Sequence, residues 1–136
     1  MSRPGHMLRM ASRLVRPTGA GPELLCQFVT ARCDARCAHC FDHTRRGPER
    51  ERQELTTDEF EAIARALPPL YMVLLTGGEP FLRKDLVQVA QAYARGARPA
   101  VLAIPTNGGR PEAILATVDA LLPTLPRGTT LSVNVS

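Results

Sequence analysis

The chain has 136 residues, 44% of them hydrophobic, which suits one packed domain and argues against global disorder. Its formal charge of +4 arises at the amino terminus: residues 1–22 hold Arg3, Arg9, Arg13 and Arg16 and no acid, and the remaining 13 basic residues match the 13 acidic ones. A broadly basic, nucleic-acid-binding body is therefore not expected, and no apolar run reaches the length needed to span a membrane.

Residues 1–22 read as a solvated basic extension. Arg9 and Arg13 interrupt the apolar stretch 7–15, so no secretory h-region forms there. A transit peptide or a short amphipathic surface helix fits the stretch more weakly. Residues 24–30 are an apolar run of strand length. Cys26, inside that run, reads as a small buried apolar residue. Next comes Cys33-Asp-Ala-Arg-Cys37-Ala-His-Cys40-Phe41, a C-x3-C-x2-C loop. Residues 42–54 combine Gly47-Pro48 with many charges and no periodicity, the pattern of a surface loop.

A helix is predicted from Thr56, which forms a capping box with Glu59. Phe60, Ile63, Ala64 and Leu67 then make one apolar stripe, and Pro68-Pro69 ends it. Residues 71–75 are continuously apolar, as in a parallel strand covered on both faces. Thr76-Gly77-Gly78-Glu79-Pro80 is a turn. Asp85 is placed to cap a helix with Leu86, Val89, Ala90 and Tyr93 on one face, ending near Gly96. Residues 100–104 form a third strand and Thr106-Asn107-Gly108-Gly109 a turn. Pro111 opens a helix with the stripe Ile114, Leu115, Val118 and Leu122, ended by Pro123. Residues 130–135 form a fourth strand.

The order β-α-β-α-β-α-β implies an α/β fold with a parallel sheet of about four β-α units. Either an open doubly wound sheet or part of a TIM-type barrel satisfies it. Because the last strand lacks a covering element, the chain is expected to be the amino-terminal portion of a longer protein. A small complete domain that pairs its edge with another chain is the alternative.

In such folds the functional loops lie at the carboxyl ends of the strands. The cysteine loop, Gly77-Gly78-Glu79-Pro80, Thr106-Asn107-Gly108 and Ser136 each follow one strand, so four segments converge on one face. Three clustered thiols with no secretion signal point to a metal in a reducing compartment. Three cysteines with His39 or His43 fit a zinc site. The same three thiolates fit an iron–sulfur centre with one iron left open. The Gly pair lets backbone approach a ligand closely, and Glu79 places a carboxylate beside it, an edge suited to an ammonium group.

Together these motifs resemble the radical S-adenosylmethionine (radical SAM) enzymes over residues 24–136, and within them the bacterial group that often carries a carboxyl-terminal SPASM or related auxiliary-cluster region. The resemblance implies a part of a TIM-type barrel, with residues 23–136 as the amino-terminal portion of the core domain. It implies Cys33, Cys37 and Cys40 as ligands of a [4Fe–4S] cluster and His39 as a backbone contact to adenine, in a position more often Tyr or Phe. Phe41 would pack beside the cluster. Gly77, Gly78 and Glu79 would bind the methionyl ammonium of S-adenosylmethionine, with Thr106, Asn107 and Ser136 near cofactor or substrate. The implied partners are a peptide or small-metabolite substrate and an electron donor such as flavodoxin or ferredoxin, in the cytoplasm. A non-catalytic zinc-binding or interaction module, or an inactive fragment, is the alternative.

Overall fold

A computed structural model describes residues 22–40 and 54–136; the expectations for residues 1–21 and 42–53, and those for Phe41 and His43, fall outside them. Strand β1 is Leu24–Thr30, followed by helix α1 (Thr57–Ala66), strand β2 (Met72–Gly77), a 3-10 turn (Pro80–Leu82) and helix α2 (Leu86–Gly96). Strand β3 (Val101–Thr106), helix α3 (Pro111–Leu121), a second 3-10 turn (Leu122–Thr124) and strand β4 (Thr130–Val135) complete the order. The four strands form one parallel sheet in the order β1-β2-β3-β4. Each crossover therefore returns the chain to the same end of the sheet, and all strand-to-helix loops share one edge. The result is the α/β architecture expected, a four-stranded parallel sheet consistent with part of a TIM-type barrel.

The helices begin and end where side chains satisfy or deny backbone groups. The Thr56 side chain accepts from Glu59 N, and the Glu59 carboxylate accepts from Thr56 N at 2.7 Å, the reciprocal capping box. Asp85 departs from expectation. It stands at the N-cap of α2 but makes no side-chain cap bond. Its carboxylate instead accepts from Arg83 Nη2 at 2.9 Å and from Thr57 Oγ1 at 2.5 Å. A charged donor outcompetes a backbone N–H for the same oxygens.

One face of the sheet carries the core. Val29, Val73, Leu75, Leu102 and Ile104 are buried against Phe60, Leu86, Val89 and Tyr93 of the helical layer. Tyr93 is fully buried, and its hydroxyl donates to Gln27 Oε1 at 2.8 Å, so its one polar atom is satisfied. The opposite face is more open, which corrects two expectations. Cys26 is exposed rather than buried, because it shares the outward face of the edge strand β1 with Leu24 and Phe28, which are 55% and 49% exposed. Met72 and Leu74 of β2 are half-buried, so that strand is fully covered on one face only. In α3 the inward residue is Leu121, with Ile114 packed against the core, while Leu115 and Leu122 are exposed. The stripe ends one residue earlier than the sequence pattern suggests, because Leu122 has left the helix for the 3-10 turn.

Candidate cofactor site at the carboxyl ends of the strands

The entry to the cysteine loop is stitched to the end of β2. Gly78 N donates to Thr30 O at 2.8 Å, and Glu79 N donates to Arg32 O at 2.7 Å. The pairing register shifts between Phe28 and Thr30, which lets the chain continue along β2 as it leaves β1. This close approach explains the glycine pair. Gly77 has φ of 125°, and a Cβ there would lie 2.2 Å from Thr30 O. A Cβ on Gly78 would lie 2.0 Å from Arg32 O. The pair is thus required by the protein's own backbone, before any ligand is considered.

Glu79 is turned inward. It is 1% exposed, and its carboxylate accepts from Phe81 N at 3.2 Å, Thr106 Oγ1 at 2.9 Å and Asn107 N at 2.7 Å. The side chain joins the ends of β2 and β3.

Thr106 and Asn107 continue the same wiring. Thr106 is buried, and its hydroxyl also accepts from Gly108 N at 3.1 Å. Asn107 Oδ1 accepts from Gly109 N at 2.8 Å, closing an Asx-type turn. Asn107 Nδ2 donates to Asp34 Oδ1 at 2.8 Å, and Arg110 Nε donates to Asp34 Oδ2 at 2.9 Å. Asp34 lies in the spacer between Cys33 and Cys37, so both bonds tie the cysteine loop to the loop after β3. The bond from Arg110, then that from Asn107, holds the Asp34 carboxyl below its ordinary range. Ser136 joins the set through its backbone, donating from N to Thr106 O at 3.0 Å. Beside Asp34 an open recess of about 440 Å³ is lined by Gly109, Arg110 and the first turn of α3.

The loop itself carries Cys33 and Cys40 half-buried and Cys37 exposed, with His39 exposed between them. Cys40 N donates to Cys37 O at 3.1 Å in a tight turn. All four cysteines are thiols, with no disulfide among them. Among the described residues, no three Cys, His, Asp or Glu side chains are gathered closely enough to hold one metal ion. The donor set nevertheless suits an iron–sulfur cluster: three soft sulfur ligands on one short loop, with the Asp34 carboxylate of that loop already engaged.

Sequence reasoning missed Asp34, Glu54, Arg83 and Arg110. Arg83 is the most deeply placed, with 5% of its side chain exposed; it donates to Val29 O and Leu55 O, both at 2.7 Å. Its Nε lies 2.8 Å from Asp85 Oδ1, close enough for charge attraction but not aligned as a hydrogen bond. A cation flanked by an apolar 3-10 turn and followed two residues on by an acid at a helix start is the signal that was available.

The Radical SAM superfamily model matches residues 28–135. The chain belongs to the radical SAM superfamily. Among its relatives, GTP 3',8-cyclase 2 of Pseudomonas aeruginosa is 37% identical over 101 residues, 73% of this chain and 30% of that protein. GTP 3',8-cyclase of Actinobacillus pleuropneumoniae is 35% identical over 86 residues, 62% of this chain and 25% of that protein. GTP 3',8-cyclase of Haemophilus influenzae is 34% identical over 101 residues, again 73% and 30%. This radical SAM chain thus spans a quarter to a third of the length of the curated relatives it matches. No helix of the described residues is long and apolar enough to cross a membrane.

Proposed function

We propose that this chain forms the cluster- and S-adenosylmethionine-binding part of a radical SAM enzyme that acts on GTP or a closely related nucleotide. The observation that supports the reading is the backbone stitching of Thr30 and Arg32, which lead into Cys33, to Gly78 and Glu79. Cys33, Cys37 and Cys40 would hold a [4Fe–4S] cluster, which when bound supplies the electron that splits S-adenosylmethionine reductively and starts radical chemistry on the substrate.

In this reading the chain's own residues bind and orient. Main-chain groups of Gly77, Gly78 and Glu79 accept the methionyl ammonium, since the Glu79 carboxylate is engaged inside. His39 offers backbone and ring to the adenine, while Thr106, Asn107 and Ser136 shape the neighbouring edge. The nucleotide substrate is drawn from the relatives' names. A small redox protein such as flavodoxin or ferredoxin is the electron donor. Residues 23–136 act as the first part of the core domain, and residues 1–22 as a basic extension.

Anaerobic reconstitution with iron and sulfide tests the cluster. The expected product is a brown protein with roughly four irons and four sulfides per chain, lost in Cys33→Ala, Cys37→Ala and Cys40→Ala. One zinc per chain and no acid-labile sulfide would overturn the reading. The nucleotide is tested separately, by following S-adenosylmethionine cleavage with GTP present and absent. Cleavage indifferent to GTP overturns the substrate assignment and leaves the cluster assignment standing.

A further inference from the structure

Glu54 lies outside every motif, yet its carboxylate holds the three residues that lead into Cys33. Oε1 accepts from Thr30 Oγ1 at 2.5 Å and from Ala31 N at 2.9 Å. Oε2 accepts from Arg32 Nη2 at 3.2 Å and lies 3.8 Å from Arg83 Nη1. The side chain is 14% exposed, so these charge-assisted bonds are largely shielded from water. Thr30 Oγ1 in turn accepts from Arg32 N at 3.1 Å. On the opposite edge the carbonyls of Thr30 and Arg32 are taken by Gly78 and Glu79. The loop entry is therefore gripped from both sides, by one carboxylate and by the glycine-rich segment.

We propose that Glu54 is a positioning residue that fixes the direction in which Cys33 leaves the sheet, and so the spacing between the cysteine loop and Gly77-Gly78-Glu79. The proposal rests on the cluster and S-adenosylmethionine reading given above. Its chemistry is specific to a carboxylate. Every partner of Glu54 is a donor, so an amide of the same shape must aim its NH₂ at a donor whichever way it is flipped. Aspartate keeps the charge but is shorter by one methylene.

The test compares Glu54→Gln, Glu54→Asp and Leu121→Ala with the unmodified chain. Leu121 is buried in the core and outside the site, so its truncation lowers stability without touching the loop. In the metal-free chain, Glu54→Gln should speed hydrogen exchange at the Ala31 and Arg32 amides about tenfold or more, and Leu121→Ala should not single them out. After reconstitution, Glu54→Gln should release iron faster to a chelator and lose the change that S-adenosylmethionine causes in the paramagnetic spectrum of the reduced cluster. Glu54→Asp should restore part of both. Unchanged exchange at Ala31 and Arg32 in Glu54→Gln overturns the proposal, as does faster exchange with wild-type iron retention and spectral response. A wild-type chain that takes up no cluster overturns the functional reading instead, while the exchange measurement still decides whether Glu54 holds the loop entry.

Discussion

Replacing Gly78 by Ala tests the closest contact in the site. The added Cβ would sit 2.0 Å from Arg32 O and 2.6 Å from Arg32 C, where real side chains do not come within 3.0 Å. The obstacle is backbone, so the Arg32 carbonyl must retreat by roughly 1 Å to reach even a tight van der Waals contact. That movement breaks the 2.7 Å bond from Glu79 N and strains the 2.8 Å bond from Gly78 N to Thr30 O. Lost hydrogen bonds cost about 0.5–1.5 kcal/mol each, and overpacking adds about 1–3 kcal/mol, so the variant should lose about 2–5 kcal/mol. In a domain of this size that lowers the melting midpoint by roughly 7–18 °C. Thermal and urea unfolding of the metal-free chain measure it. Gly109→Ala is the control, because its Cβ would meet only the Asn107 side chain, at 3.0 Å, which can turn aside; about 1 kcal/mol or less is expected. A Gly78→Ala protein within about 0.5 kcal/mol of wild type would show that the loop entry does not pack on β2, and the reasoning fails.

Glu79→Gln should destabilise the metal-free chain by about 1–3 kcal/mol, since its three donor partners cannot all be met by an amide; an unchanged urea midpoint refutes this. Burial favours the neutral form of Asp85, but the bonds from Arg83 and Thr57 outweigh it and hold its pKa below the ordinary 3.8. Its contribution to stability is therefore present above that value and is lost as pH falls through the lower, folded-state pKa. Asp85→Asn should flatten this acid limb in a series of unfolding curves, and an identical limb in the variant counts against the assignment. Burial pushes the Tyr93 phenol up to about 12. The folded state resists ionisation that the unfolded chain undergoes near its ordinary 10.0, so stability falls as pH rises between these values. Subtracting the ultraviolet titration of Tyr93→Phe should isolate a phenol ionising near 12, and ionisation near 10 contradicts its burial.

The strand and helix order was readable because period and punctuation agreed. The capping box at Thr56 and Glu59, the stop at Pro68-Pro69 and the Pro111 start all act within a few residues, and local chemistry suffices to place them. Cys26 was misread because alternation alone does not say which face of an edge strand a helix covers. Asp85 was misread because its oxygens are taken by Arg83, two residues before it, and by Thr57, 28 positions away. The motifs were visible as segments, but their wiring was not. Asp34 meets Asn107 and Arg110 across more than 70 positions of sequence, and Glu54 meets Thr30 across 24. Such pairs carry no periodic or spacing signal; they follow from parallel strands ending at one edge.

That wiring bears on how the chemistry is divided. Among the described residues, the carboxylates of Asp34, Glu54 and Glu79 each accept hydrogen bonds from the protein's own donors. An acid or base already holding two or three donors is poorly placed to move a proton to or from a ligand. Among the described residues of the cysteine loop, Arg36, Cys37 and His39 are exposed. Main-chain groups bind and orient without titrating, and thiolates bind soft metals. A site built this way confers geometry and leaves bond breaking to what it binds, which is the arrangement that cofactor-driven radical chemistry requires.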